Sequence, residues 1–136
     1  LSPTYRHTNH QVEAYIPDDL TMVTYPDGLA QVLTNLLMNS FAHGFTDDQE
    51  GHIEISCHEE GDQVILDYID NGKGIDASIE DKIFDPFFTT RRDKNNTGLG
   101  MHIVYNIVNQ QLKGQIHLLR DKDQGVHFRL DLPKDI

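Results

Sequence analysis

The spacing of hydrophobic and polar positions changes period several times along the 136-residue chain. Val12, Ala14 and Ile16 alternate with polar residues, and Leu20 to Tyr25 is rich in strand-forming types, so two strands meeting at the Pro17-Asp18-Asp19 turn are predicted. From Asp27 to about His43 the period lengthens. Leu29, Leu33, Leu36, Leu37 and Phe41 recur at helical spacing, which predicts a helix opened by Pro26 and Asp27 with one buried arc. Alternation returns with Ile53, Ile55 and Cys57 in one stretch and Val64, Leu66 and Tyr68 in the next. This predicts an antiparallel hairpin turning at Gly61-Asp62.

Residues 71 to 98 hold no sustained period and are rich in Gly, Asp and Asn, with a short helix predicted near Ser78 to Phe84. Connections of that length in compact domains are usually functional or disordered. Leu99, Ile103, Ile107, Val108 and Leu112 then restore helical spacing as far as Gly114, which suits a helix stop. Strands on either side of Lys122 to Gly125 predict a closing hairpin, with Val126, Phe128, Leu130 and Leu132 facing the core. The fold class expected is α+β: a two-layer sandwich of a mixed, mostly antiparallel sheet with helices packed on one face.

Composition narrows the functions available. Eleven Lys and Arg against 22 Asp and Glu give a net charge of -11. That balance opposes nucleic acid and direct membrane contact as partners, since both attract basic surfaces. The single Cys57 cannot form an internal disulfide, and there is neither a signal-peptide pattern nor an apolar run long enough to span a bilayer. A cytoplasmic setting is expected, for a parent protein that could itself be anchored in the membrane. Residues 1–136 are expected to form one domain, and a start at Leu1 rather than Met suggests a piece of a longer protein.

Four stretches carry candidate chemistry. Asn35, Asn39 and His43 recur every four residues, so they form a slanting row at the border of the apolar arc. Each alone also fits a solvated helix edge. Asp70 ends the inward-facing row of its strand, and Gly72 and Gly74 follow it. That stretch suits either a plain strand-ending turn or a carboxylate that accepts from a ligand amine while glycine backbone closes on the ligand. A calcium loop is set aside, because it needs oxygen side chains where Gly72 and Gly74 stand. Phe84, Phe87 and Phe88 give the long loop an apolar anchor. Thr97, Gly98 and Gly100 lead into the second predicted helix, whose first N–H groups would suit a polyphosphate, and Arg91, Arg92 and Lys94 concentrate positive charge just before it.

In order and spacing these pieces resemble the ATP-binding catalytic domain of sensor histidine kinases. That domain belongs to a superfamily that also includes DNA gyrase, the ninety-kilodalton heat-shock chaperone and MutL, and the resemblance runs from about residue 11 to 133. Asn35 to His43 is similar to the N box, Asp70 to Gly74 to the first glycine box, Phe84 to Phe88 to the F box, and Gly98-Leu99-Gly100 to the second glycine box. The resemblance implies a Bergerat-type ATP-binding fold, ATP and Mg²⁺ as ligands, and Asn39 as the metal ligand with phosphates and water completing the octahedron. It places Asn35 and His43 on the phosphate side as catalytic residues and gives the adenine amine to Asp70. Gly72, Gly74 and Ile75 would shape the base pocket, Phe84, Phe88, Arg91 and Thr97 would belong to or border a lid at about 85–97, and Gly98, Leu99 and Gly100 would hold the triphosphate.

ATP-hydrolysing relatives carry Glu at the position of Asn35, and a neutral carboxamide is no general base at pH 7, so rapid hydrolysis is not expected. Ser40 stands where the family usually has Ala, and Asn95-Asn96 where another Gly is common. The function implied is donation of the γ-phosphoryl group to a histidine on a dimerisation and phosphoacceptor domain of the same protein, with a response regulator as onward partner. The acceptor is absent from these residues. A nucleotide-responsive interaction module without phosphotransfer is the alternative.

Overall fold

The computed structural model describes residues 10–45, 50–76, 78, 80–85, 100–120 and 125–136. Within them five strands form one sheet: β1 (Gln11–Tyr15), β2 (His52–Glu60), β3 (Gln63–Asp70), β4 (Gln115–Leu119) and β5 (Val126–Pro133). Their order across the sheet is β1-β2-β3-β5-β4, antiparallel throughout except for the parallel β1–β2 pair. Helices α1 (Pro26–Asn39) and α2 (Gly100–Asn106) lie against each other and cover one face, which is the two-layer α+β sandwich expected.

The sheet is built by the alternation seen in the sequence. Val64, Leu66 and Tyr68 of β3 point at the helices beside Ile53 and Ile55 of β2 and Phe128, Leu130 and Leu132 of β5, and all are buried. Gly61, at φ 60, turns the β2–β3 hairpin, a conformation that costs glycine nothing sterically. The expected pairing of residues 12–16 with 20–25 does not form. β1 instead runs parallel to β2, with Val12 opposite Ile53 and Ala14 opposite Ile55. Residues 20–25 contribute one bridge, Val23 to Asp135, because the backbone of Val23 is taken up by Lys134 and Ile136. β1 therefore sits at a sheet edge with both faces exposed.

Pro26 at the first helical position starts α1, where its missing N–H is no loss, and Asp27 complements the helix dipole. The fully buried stripe runs through Gly28, Val32, Leu36 and Ser40, while Leu29, Leu33, Leu37 and Phe41 are its partly buried flank. The centre of the buried face is thus one residue earlier than the sequence pattern suggests, and it ends on a serine. Beyond Asn39 the helix widens into a π-type turn at Ser40–Gly44. α2 does the same at Ile107–Gln111, closed by Leu112 N–H on the Ile107 carbonyl at 2.9 Å. Val104, Val108 and Leu112 are its buried positions, and Ile103 is exposed. The left-handed residue that ends this segment is Lys113, at φ 60, and not Gly114. Gly114 is needed for a different reason: a Cβ there would overlap the Asp131 carbonyl of β5. The short helix expected near 78–84 is a single 3₁₀ turn at Glu80–Lys82.

Candidate functional site

The polar row of α1 lies beside the buried stripe and meets the start of α2. Gln31 Nε2 donates to Asn35 Oδ1 at 2.8 Å, and Asn35 Nδ2 donates to the Gly100 carbonyl at 3.3 Å. One turn on, Asn39 Nδ2 donates to the Asn35 carbonyl at 2.8 Å. An amide atom facing a carbonyl must be the N–H donor, so this bond turns Asn39 Oδ1 the other way. Among the described residues no hydrogen bond reaches that oxygen. Gly100 makes the close approach possible, since a Cβ there would lie 3.1 Å from Asn39 Nδ2.

The second half of the site is the end of β3. Asp70 is 3 % exposed, which makes it the one carboxylate among the buried side chains of the described core. Its Oδ1 accepts from Gly72 N–H at 3.0 Å and from Val126 N–H at 3.1 Å. Its Oδ2 accepts from the Ser40 hydroxyl at 2.8 Å, and Ser40 Oγ lies 2.6 Å from the Tyr68 hydroxyl. Burial pushes the Tyr68 phenol well above its ordinary range, so the hydroxyl keeps its proton. Gly74 and Gly125 both take left-handed φ values, 81 and 94, where their backbones pass each other beside Asp70. A Cβ on Gly125 would overlap the Asp70 carbonyl, and one on Gly74 would reach within 2.9 Å of the Gly125 carbonyl.

The rim is tied down by the residue that follows β4. Arg120 Nη1 donates to the Ile75 carbonyl at 2.7 Å, and its Nε lies 3.2 Å from Glu80. Ser78 hydrogen bonds, backbone first, hold the neighbouring Asp76 carboxyl below its ordinary range, with Arg120 adding to the effect. Phe84 packs on Tyr105 of α2 and Phe128 of β5 at centroid distances of 5.3 and 6.3 Å. Its carbonyl accepts from His102 Nδ1 at 3.1 Å, which leaves His102 Nε2 to accept from Asn106 at 3.2 Å.

Of the residues singled out in the sequence, Asn35, Asn39 and Gly100 come together at the α1–α2 contact. Asp70, Gly72 and Gly74 come together at the end of β3, while Ile75 and Phe84 sit on the rim. The side chain of His43 and all of Phe88, Arg91, Thr97, Gly98 and Leu99 lie outside the described residues. Two side chains were not given their observed parts by the sequence pattern. Ser40, marked in the sequence only as standing where the family usually has Ala, hydrogen bonds from the end of α1 to Asp70 of β3. Arg120 binds the Ile75 loop to Glu80, a contact across 45 residues that local pattern does not signal.

The described residues thus combine a two-layer sandwich, a carboxamide row on one helix, a buried carboxylate at the sheet end and a glycine at the facing helix start. The sequence profile of the histidine kinase-, DNA gyrase B- and HSP90-like ATPases matches residues 24–136. The chain belongs to that family, as the ATP-binding catalytic domain of a sensor histidine kinase. It is 42 % identical over 112 residues to sensor histidine kinase ZraS of Escherichia coli K12, covering 82 % of this chain and 23 % of ZraS. Sensor protein KdpD of Clostridium acetobutylicum is 33 % identical over 133 residues, covering 94 % of this chain and 14 % of KdpD. The chain therefore spans less than a quarter of the length of these relatives. Among solved structures, the catalytic domain of histidine kinase ThkA superimposes with a TM-score of 0.81 at 27 % identity, over 98 % of this chain and 86 % of that one.

Proposed function

We propose that the domain binds Mg·ATP between α1, the start of α2 and the end of β3. It then presents the γ-phosphoryl group to a histidine on a dimerisation and phosphoacceptor domain of the same protein, from which a response regulator receives it. The observation that carries this reading is the Ser40 hydrogen bond to Asp70. It ties the helix that carries the carboxamide row to the buried carboxylate of β3, which supports reading them as two ends of one site. A purine triphosphate has a matching pair of ends, a base with an amine and an anionic tail.

The residues present fit a magnesium ion that arrives with the nucleotide. Asn39 Oδ1 is a hard, neutral oxygen turned away from its own helix, and among the described residues no group of three His, Cys, Asp or Glu side chains could hold a metal alone. Mg²⁺ ordinarily takes one or two protein oxygens and completes its shell with phosphate and water. When bound it neutralises phosphate charge and fixes the geometry of the γ-phosphoryl group.

The chain's own contribution is positioning. Asn39 supplies the metal oxygen, and Asn35 is itself held by Gln31 and donates to Gly100, which sets the spacing of the two helices around the phosphates. The family pattern assigns His43, Thr97, Gly98, Leu99 and Gly100 to the phosphate side. Asp70 accepts from the adenine amine, Gly72, Gly74 and Ile75 shape the base pocket, and Phe84, Phe88 and Arg91 border or belong to the lid. A carboxamide at Asn35 activates no water, so the phosphoryl group is kept for the incoming imidazole and hydrolysis stays slow. Histidine kinase ThkA has been solved in complex with the response regulator TrrA, and it aligns over 96 % of this chain at 25 % identity. That supports a response regulator as partner. Incubating the parent protein with γ-labelled ATP should give acid-labile label on a histidine. Rapid phosphate release without labelled protein would overturn the phosphotransfer reading.

A further inference from the structure

The hydroxyls of Ser40 and Tyr68 are buried together beneath Asp70, and their protons can be counted. Three short contacts run in series: Leu36 carbonyl to Tyr68 Oη at 3.0 Å, Tyr68 Oη to Ser40 Oγ at 2.6 Å, and Ser40 Oγ to Asp70 Oδ2 at 2.8 Å. Each hydroxyl has one proton to donate. Two oxygens 2.6 Å apart need a proton between them. If Ser40 donates to Asp70, that proton must come from Tyr68.

The Leu36 carbonyl permits this arrangement. It already accepts the Ser40 backbone N–H at the end of α1, so it is satisfied without the phenol. Turning Tyr68 toward Ser40 gives up only its longer, 3.0 Å bond to the already satisfied Leu36 carbonyl, whereas turning Ser40 toward Tyr68 would leave the Asp70 carboxylate Oδ2 facing a bare oxygen. The order of donation is thus Tyr68 to Ser40 to Asp70.

The same count applied to Asp70 yields its remaining capacity. A carboxylate oxygen offers two lone-pair directions. Oδ1 fills both with the N–H groups of Gly72 and Val126, and Oδ2 fills one with Ser40. Among the described residues, one acceptor direction is left.

We propose that Ser40 and Tyr68 are positioning residues for base selection: a buried hydroxyl relay that holds Asp70 with a single open acceptor direction, matched to a purine with an amine at position 6. This rests on the nucleotide reading above and deepens it. A base with a carbonyl at that position places one acceptor against another and gains nothing from the relay. Neither hydroxyl touches the base itself; both act through the carboxylate.

The test compares ATP with inosine triphosphate, which carries oxygen in place of the amine, by calorimetric titration of the chain with Mg²⁺ present. Unsubstituted protein should prefer ATP. Tyr68→Phe, which removes one oxygen and keeps the ring, and Ser40→Ala should each weaken ATP by about three- to tenfold while leaving inosine triphosphate unchanged. Because the relay is serial, the double variant should be no worse than Ser40→Ala alone. Melting temperatures would identify any variant that fails to fold, and Tyr68→Phe carries the test if Ser40→Ala does. Equal loss for both nucleotides, or no loss for either, would overturn the relay while leaving nucleotide binding intact. Unsubstituted protein that takes up neither nucleotide would overturn the nucleotide reading itself.

Discussion

Asn39 and Asp70 differ in how their polar atoms are spent, and their predicted behaviour differs accordingly. Asn39 uses its amide N–H on its own helix and keeps its oxygen free of that bond, so Asn39→Ala costs the fold one part-buried hydrogen bond. We expect it to remove the Mg²⁺-dependent part of ATP affinity with a nearly unchanged melting curve. Affinity that still responds to Mg²⁺ would withdraw Asn39 as the metal ligand. Asp70→Asn keeps one oxygen for Gly72 and Val126 but puts an amide nitrogen, a donor, where the adenine amine would need an acceptor. ATP binding should weaken by roughly 1.5 to 3 kcal/mol, the worth of a hydrogen bond to a charged group. A variant that still separates ATP from GTP as the parent does would remove Asp70 from base reading. The position of Asp70 was legible from strand alternation alone, since it continues the row of Val64, Leu66 and Tyr68. The part played by Ser40 was not, because its partners are 28 and 30 residues away and a small side chain in a helix signals packing first.

At the scale of elements, the backbone is shaped where elements must touch. Gly125 opens β5 at φ 94 with its α-carbon against the Asp70 carbonyl. Gly125→Ala would combine a strained φ with a backbone clash, and we expect a loss of about 1 to 3 kcal/mol in urea unfolding together with weaker nucleotide binding. Full stability with unimpaired binding would show that the β3–β5 corner does not support the site. Both helices and both hairpins were readable from the sequence, because helical and strand periods differ sharply over ten or more residues. The fate of residues 20–25 was not readable. Their composition favours a strand, but β1 finds its partner in β2, some 40 residues on, and pairing over that separation leaves no local mark. The π-type turns that end both helices were equally hidden, since they keep the apolar spacing almost unchanged.

For the molecule as a whole, the helices cover one sheet face, while the other carries ion pairs over a buried Ile65, with His127 2.6 Å from Asp67 and Arg129 2.7 Å from Asp131. The main core lies between the sheet and the helices, and Tyr68 is the largest fully buried side chain in it. Its phenol titrates at 10.0 when unperturbed and higher in the fold, chiefly through burial. A raised folded value means the native state holds the proton after the unfolded state has lost it. The contribution is fully present below pH 10 and is lost as pH rises beyond it. We expect unfolding free energy to start falling near pH 10, and Tyr68→Phe to reduce that alkaline slope. An unchanged slope would place the alkaline sensitivity elsewhere. Among the described residues no helix is long and apolar enough to cross a membrane. Among the described residues, the sheet and both helices share one continuous core.

The central claim is that one site grips both ends of a magnesium-bound purine triphosphate. Calorimetric titration of the chain with ATP, with Mg²⁺ present and then with the metal chelated, tests it most directly. The account predicts one nucleotide per chain, bound more tightly with the metal. Absence of any heat of binding under both conditions, at protein concentrations where the fold is intact, would contradict it.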